Sequence, residues 1–129
     1  MKGLMIIIGA SSVIVGAFGA HVLKPMLSVK NLSIFQTAST YHLIYAVFIL
    51  ALFLCHFQAS NRWLKRSFYC AVTGVSCFSG SLYLIAVRSL IDIEKLMPIV
   101  GPITPIGGLL MIGSWLLLWP ALSKKKMDH

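Results

Sequence analysis

Apolar residues run along this chain in four long blocks, and polar residues gather in the gaps. The uncharged blocks cover 3–20, 32–60, 67–87 and 96–123, which is 18, 29, 21 and 28 residues. The most continuous apolar stretches inside the second and fourth are 43–57 and 106–122. A helix needs about 20 residues to cross ~30 Å of hydrocarbon, and each block is close to that length or longer. Within lipid, backbone groups must pair inside their own segment, which favours helix over irregular chain. The ten-residue alternating segments of a membrane β-barrel are absent. The pattern therefore predicts an all-α membrane protein: a four-transmembrane-helix bundle forming one domain over 1–129. The helices are expected at approximately 3–21, 33–58, 67–89 and 104–122.

Local signals place the ends. The first block has a basic residue, Lys2, an apolar stretch and small residues at 17–20, as a signal peptide would. Its length and the three spans that follow make it helix 1. Ser33 with Gln36 fits a capping box, so helix 2 is expected to begin at Ser33. Its first turns would carry Gln36, Thr37, Ser39 and Thr40. Thr104 followed by Pro105 fits an N-cap with proline at the first helical position. Pro98, Pro102 and Pro105 predict an extended approach to helix 4. Pro120 is expected to kink that helix or end it soon after.

Composition agrees with this picture and narrows it. Apolar residues make up 58% and charged residues 11%, against about 25% charged in an ordinary soluble domain. A mean hydropathy of +0.89 excludes a disordered chain. The 11 Lys and Arg against 3 Asp and Glu leave a net charge of +8. These cations flank the spans, so they read as an orientation signal and a contact for anionic lipid. There is no basic face with interleaved aromatics, and no nucleic-acid partner is expected. With both termini cytoplasmic, Lys2, Arg62, Lys65, Arg66, Lys124, Lys125 and Lys126 fall inside, and Lys24, Lys30, Arg88 and Lys95 fall outside. That distribution favours the inside orientation, with Trp63 and Trp119 at the inner interface.

The absence of charge inside the spans also bears on function. Proton-coupled carriers place a carboxylate in the membrane despite its cost, and charged rings line many channels. Neither feature exists here. Cys55, Cys70 and Cys77 form no C-x-x-C pair and read as small buried residues. No nucleophile elbow, Walker loop, dinucleotide fingerprint or zinc-protease motif occurs, so no enzyme and no catalytic residue is predicted. Ser12, Gly16 and Ala20 repeat every four residues on helix 1, and Ser76 and Gly80 do so on helix 3. Together with Gly19, Gly107 and Gly108 they are expected to pack helices closely. His21 and His42, with Tyr41, Tyr45 and Tyr83, fall in the outer half. Two readings stand for the histidines. They satisfy polar groups at the membrane boundary, or they bind metal or haem, with Met26 and Met97 adding a soft set for copper. No cofactor is predicted, and haem or copper remains the alternative.

Four ordered blocks carry a resemblance. They are Gly16-Ala17-Phe18-Gly19-Ala20-His21 with Leu23-Lys24; Phe35-Gln36-Thr37-Ala38 with Tyr41 and Ala46; Phe78-Ser79-Gly80-Ser81-Leu82-Tyr83 with Ala86; and Thr104-Pro105-Ile106-Gly107-Gly108 with Gly113 and Trp115. In that order they resemble the small bacterial inner-membrane proteins called domain of unknown function 423, related to eukaryotic transmembrane protein 256. The resemblance implies a multi-pass bacterial inner (plasma) membrane protein of four helices, with no assigned activity. Many members carry glutamine where His42 stands and histidine where Tyr45 stands. The family pattern gathers polar residues at the outer helix ends. This agrees with an outer pocket of His21, Gln36, Thr37, Tyr41, His42, Ser79, Ser81, Tyr83 and Thr104. The expected function is a non-enzymatic accessory or lipid-interacting module. Its partners would be membrane lipids, with self-association or a membrane-complex partner. The alternative is a binding or transport protein whose outer pocket holds a metal, haem or small lipid-like ligand.

Overall fold

The computed structural model describes residues 1–123, so Lys124, Lys125 and Lys126 of the predicted inner charge cluster lie outside the described residues. Helix α1 spans Lys2–Phe18 and continues through a π-helical turn, Gly19–Leu23. Then come α2 (Val29–Ala59), α3 (Arg62–Val87), a short 3₁₀ turn at Glu94–Leu96, α4 (Met97–Leu116) and α5 (Leu118–Ser123). Four helical segments of 22, 30, 26 and 27 residues are long and apolar enough to cross a membrane.

Helix α2 starts at Val29, not at the expected Ser33. Ser28 is the N-cap, and its side chain accepts from Asn31 N–H at 3.3 Å. Leu27 and Leu32 flank that cap in one cluster with Leu23 and Phe35 and fix the entry angle as a hydrophobic staple does. The carbonyl of Ser33 instead accepts from Thr37 inside the helix. Helix α3 likewise starts earlier than predicted, at Arg62, where Asn61 caps Trp63 N–H at 2.8 Å.

Helix α4 corrects the reading of its prolines. It begins at Met97, and Pro98, Pro102 and Pro105 are all helical. Pro98 sits in the first turn, where a missing N–H costs nothing. Pro102 and Pro105 each forfeit one backbone bond, but all three rings are on the exposed side of the helix. An extended chain at that depth would forfeit many more bonds. Thr104 is therefore mid-helix and not a cap. Pro120 behaves as expected. Its ring conflicts with the carbonyl four residues back, Leu116, and the helix breaks at Leu117.

Helix α3 is the hub, packed along both α2 and α4, while α1 packs on α2. The main core joins Tyr45, Ile49, Phe68, Ala71, Val75 and Met111. Around it the surface is apolar, with Ile7, Val47, Leu109 and Leu116 all more than 60% exposed. A soluble monomer rarely carries an apolar patch of more than a few hundred Å². Lipid is the solvent this surface fits.

The tightest seam joins α3 and α4. A Cβ on Gly74 would stand 2.8 Å from Met111 N, and one on Gly107 would stand 2.8 Å from Phe78 Cα. Gly107 was expected in a seam, but Gly74 was not. Gly108 lies at ordinary contact distance, 3.8 Å, from the Phe78 ring. Gly80 has no heavy atom within 4 Å and Ser76 is exposed, so the expected Ser76–Gly80 seam is not one. A four-residue repeat defines a stripe without saying which way it faces. Hydrogen bonds close the real seam: Ser67 Oγ to Ser114 O (2.6 Å), Cys70 Sγ to Leu110 O (3.2 Å) and Ser81 Oγ with Thr104 Oγ1 (2.6 Å).

Candidate functional site

The predicted outer pocket separates into parts. The first is a polar relay that joins three helices. Ser11 Oγ lies 3.3 Å from His42 Nε2, and His42 Nδ1 lies 3.2 Å from the Tyr83 hydroxyl. Ser11 already donates its own proton to Ile8 O at 3.1 Å. With the Ser11 proton on Ile8 O, the arrangement that uses both contacts has His42 Nε2 donating to Ser11 and Nδ1 accepting from Tyr83. That accounting satisfies both ring nitrogens of a neutral histidine. The relay sits deeper than expected. Because α2 begins at Val29, His42 is about 20 Å into its helix, level with Ser11 at the middle of α1. Each such interhelical bond in a membrane contributes roughly 0.6–2 kcal/mol.

The remaining residues do different work. Ser79 Oγ donates to Ala38 O at 2.9 Å and pins α3 to α2. Ser81 and Thr104 bond each other. Tyr41 is exposed and meets Phe78 edge-on, and Thr37 bonds its own helix. His21 is exposed on the π-helical turn. It lies ten residues, about 15 Å along the helix axis, from Ser11, which touches His42. The two histidines thus stand at different levels along α1. Among the described residues, no group of three or more His, Cys, Asp or Glu is placed to hold a metal ion. Tyr45, a second inward residue of α2, donates to Met111 O at 3.0 Å and accepts from Trp115 Nε1 at 3.1 Å.

The second part is a groove of about 190 Å³ between α1 and α2. Gly16, Gly19 and Ala20 form one wall, Leu32, Phe35, Gln36 and Ser39 form the other, and Lys24 stands at its end. Only Gln36 of the predicted pocket residues lines it, together with three of the small residues read as packing contacts. The glycines make it possible. A Cβ on Gly19 would collide with the Phe35 ring, and one on Gly16 would sit 3.3 Å from Ser39 Oγ. The helices thus touch at these points and leave space beside them. The groove adjoins the relay, because Phe35 packs against Tyr83 with ring centroids 4.9 Å apart. Lys24, Leu32, Phe35 and Ser39 were not among the predicted pocket residues. Their one signal was spacing: 16, 20 and 24 share a helix face, as do 32, 35, 36 and 39.

The span Lys2–Leu23 is the least enclosed of the four, with 11% of an 18-residue apolar stretch buried against 39% in α3. Val13, Ile14 and Phe18 are more than half exposed. The groove is thus bordered by a helix that faces lipid on most of its circumference.

Comparison with known proteins places the chain among membrane proteins. The family described as "Protein of unknown function (DUF423)" matches residues 15–108. The chain is 36% identical over 121 residues to the UPF0382 membrane protein SSP2132 of Staphylococcus saprophyticus, covering 89% of this chain and 92% of that one. It is 32% identical over 127 residues to the UPF0382 membrane protein YwdK of Bacillus subtilis, covering 94% and 97%. It is 33% identical over 108 residues to the UPF0382 membrane protein C1782.12c of Schizosaccharomyces pombe, covering 83% and 87%. No solved structure matches.

Proposed function

We propose that this chain, which belongs to the DUF423 family and is a multi-pass membrane protein, serves as a non-enzymatic accessory module that acts by holding lipid. The groove between α1 and α2 carries this reading. It lies on the helix most exposed to the membrane and is mostly apolar, with two uncharged polar side chains, Gln36 and Ser39. Its volume is below the ~300–1,000 Å³ of pockets that enclose a whole small molecule. That size suits a segment of a lipid whose remainder stays in the bilayer. In this reading both termini are cytoplasmic, which places the groove in the outer half of the membrane.

The test is extraction of the full chain into native-lipid nanodiscs, exchange into mild detergent, and native mass spectrometry. Retention of lipid by the wild type, and its loss in Ala20→Leu, which fills the groove from an exposed position, is the expected result. Recovery of the wild type as a lone chain without lipid refutes it.

A further inference from the structure

We propose that the Lys24 end of this groove takes the phosphate of an anionic glycerophospholipid. This rests on the lipid-holding reading and adds the class of lipid. Lys24 follows directly on the 22-residue span that ends at Leu23. A span of that length reaches about 33 Å, so Lys24 sits at the level of the headgroups. From Lys24 the groove descends to Gly16, eight residues or about 12 Å of helix. This is the direction in which a lipid lies, and it stays within one leaflet of a ~30 Å core.

The charges lining the groove select the headgroup. Lys24 is the only charged residue among the eight that line it. Among these eight residues a headgroup meets one cation and no carboxylate. Leu32 and Phe35 flank the glycerol carbons below Lys24, Gln36 can hydrogen-bond an ester oxygen at that level, and Gly16 with Ser39 at the deep end meets the first methylenes. A net-neutral headgroup gains less, because its own ammonium would approach Lys24. A metal ion or other cation is repelled by the same residue.

The experiment uses the full-length protein, stripped of lipid in detergent and titrated with phosphatidylglycerol or phosphatidylcholine, with bound lipid counted by native mass spectrometry. Wild type is expected to prefer phosphatidylglycerol, and Lys24→Gln is expected to reduce that preference about fivefold, the scale of one basic residue at an anionic surface. Lys30→Gln, at a nearby lysine outside the groove, is expected to leave it unchanged. Excess inorganic phosphate is expected not to displace the lipid. Circular dichroism confirms that each variant is folded, and Lys24→Arg, which keeps the charge, is expected to retain the preference. Equal retention of both lipids that is lost in Ala20→Leu overturns the headgroup assignment and leaves the lipid-holding reading intact. No retained lipid in the wild type overturns both. An equal effect of Lys24→Gln and Lys30→Gln points to diffuse surface charge and overturns the site. Displacement by inorganic phosphate overturns it in favour of a free-anion site.

Discussion

Replacing Gly107 by alanine is expected to force α3 and α4 apart. The added Cβ would stand 2.8 Å from Phe78 Cα and 2.9 Å from Gly74 O, where ordinary contact begins at 3.4 Å. The seam must open by more than about half an ångström, and a gap of 0.5–1 Å forfeits a quarter to a half of each dispersion contact across it. Overpacking costs about 1–3 kcal/mol where side chains can yield. Here the obstacle is backbone on both sides, so the upper end applies. The same opening stretches the Ser67–Ser114 and Cys70–Leu110 hydrogen bonds. Alanine returns up to ~1 kcal/mol of helix propensity, which leaves a net loss of about 2 kcal/mol. Gly80→Ala and Gly101→Ala are the controls, since neither position has a heavy atom within 4 Å. The assay is unfolding of the micelle-bound protein by added dodecyl sulfate, followed by circular dichroism and tryptophan emission. Gly107→Ala should unfold at a lower denaturant fraction, and both controls should match or exceed wild type. If Gly107→Ala and Gly80→Ala behave alike, the close-contact argument is wrong.

Four further outcomes follow from the same geometry. Gly19→Ala should cost about 1 kcal/mol, less than Gly107→Ala, because its obstacle is the Phe35 ring, which can rotate; the same denaturant titration ranks them. Tyr45→Phe should lose about 1 kcal/mol and shift tryptophan emission, since it removes the bond to Met111 O and the acceptor for Trp115 Nε1. His42→Ala should raise amide exchange along α1 by cutting its link to α2 and α3, and His42→Gln should restore protection because an amide can both donate to Ser11 and accept from Tyr83; equal exchange in all three proteins would refute the relay. In a chain with Cys55, Cys70 and Cys77 replaced by serine, an impermeant thiol reagent should label Asp92→Cys in intact cells and Gln58→Cys only after permeabilisation. The opposite pattern would invert the proposed orientation.

The sequence by itself determined the class of protein and the number of spans. Those follow from solvent preference: a chain of 129 residues has too little of itself to bury four uncharged apolar runs of about 20 residues, so lipid must cover them. It also marked Gly16, Gly19 and Gly107 as contacts, because small residues at helical spacing have few other uses in a membrane. Tertiary structure decided the rest. The choice between Ser28 and Ser33 as the cap of α2 depended on Leu27 and Leu32 finding a common cluster. The helicity of Pro102 and Pro105 depended on a membrane-depth segment having no water to bond an extended chain. Which stripe of α3 faced a partner, Gly74 or Ser76 with Gly80, was open until α4 packed on one of them. The groove was the least legible feature. Its walls come from two helices, and it exists because glycine contacts draw those helices together at two points while the space beside them stays open. Periodicity places residues on a face, but only the packing of two faces creates a space between them.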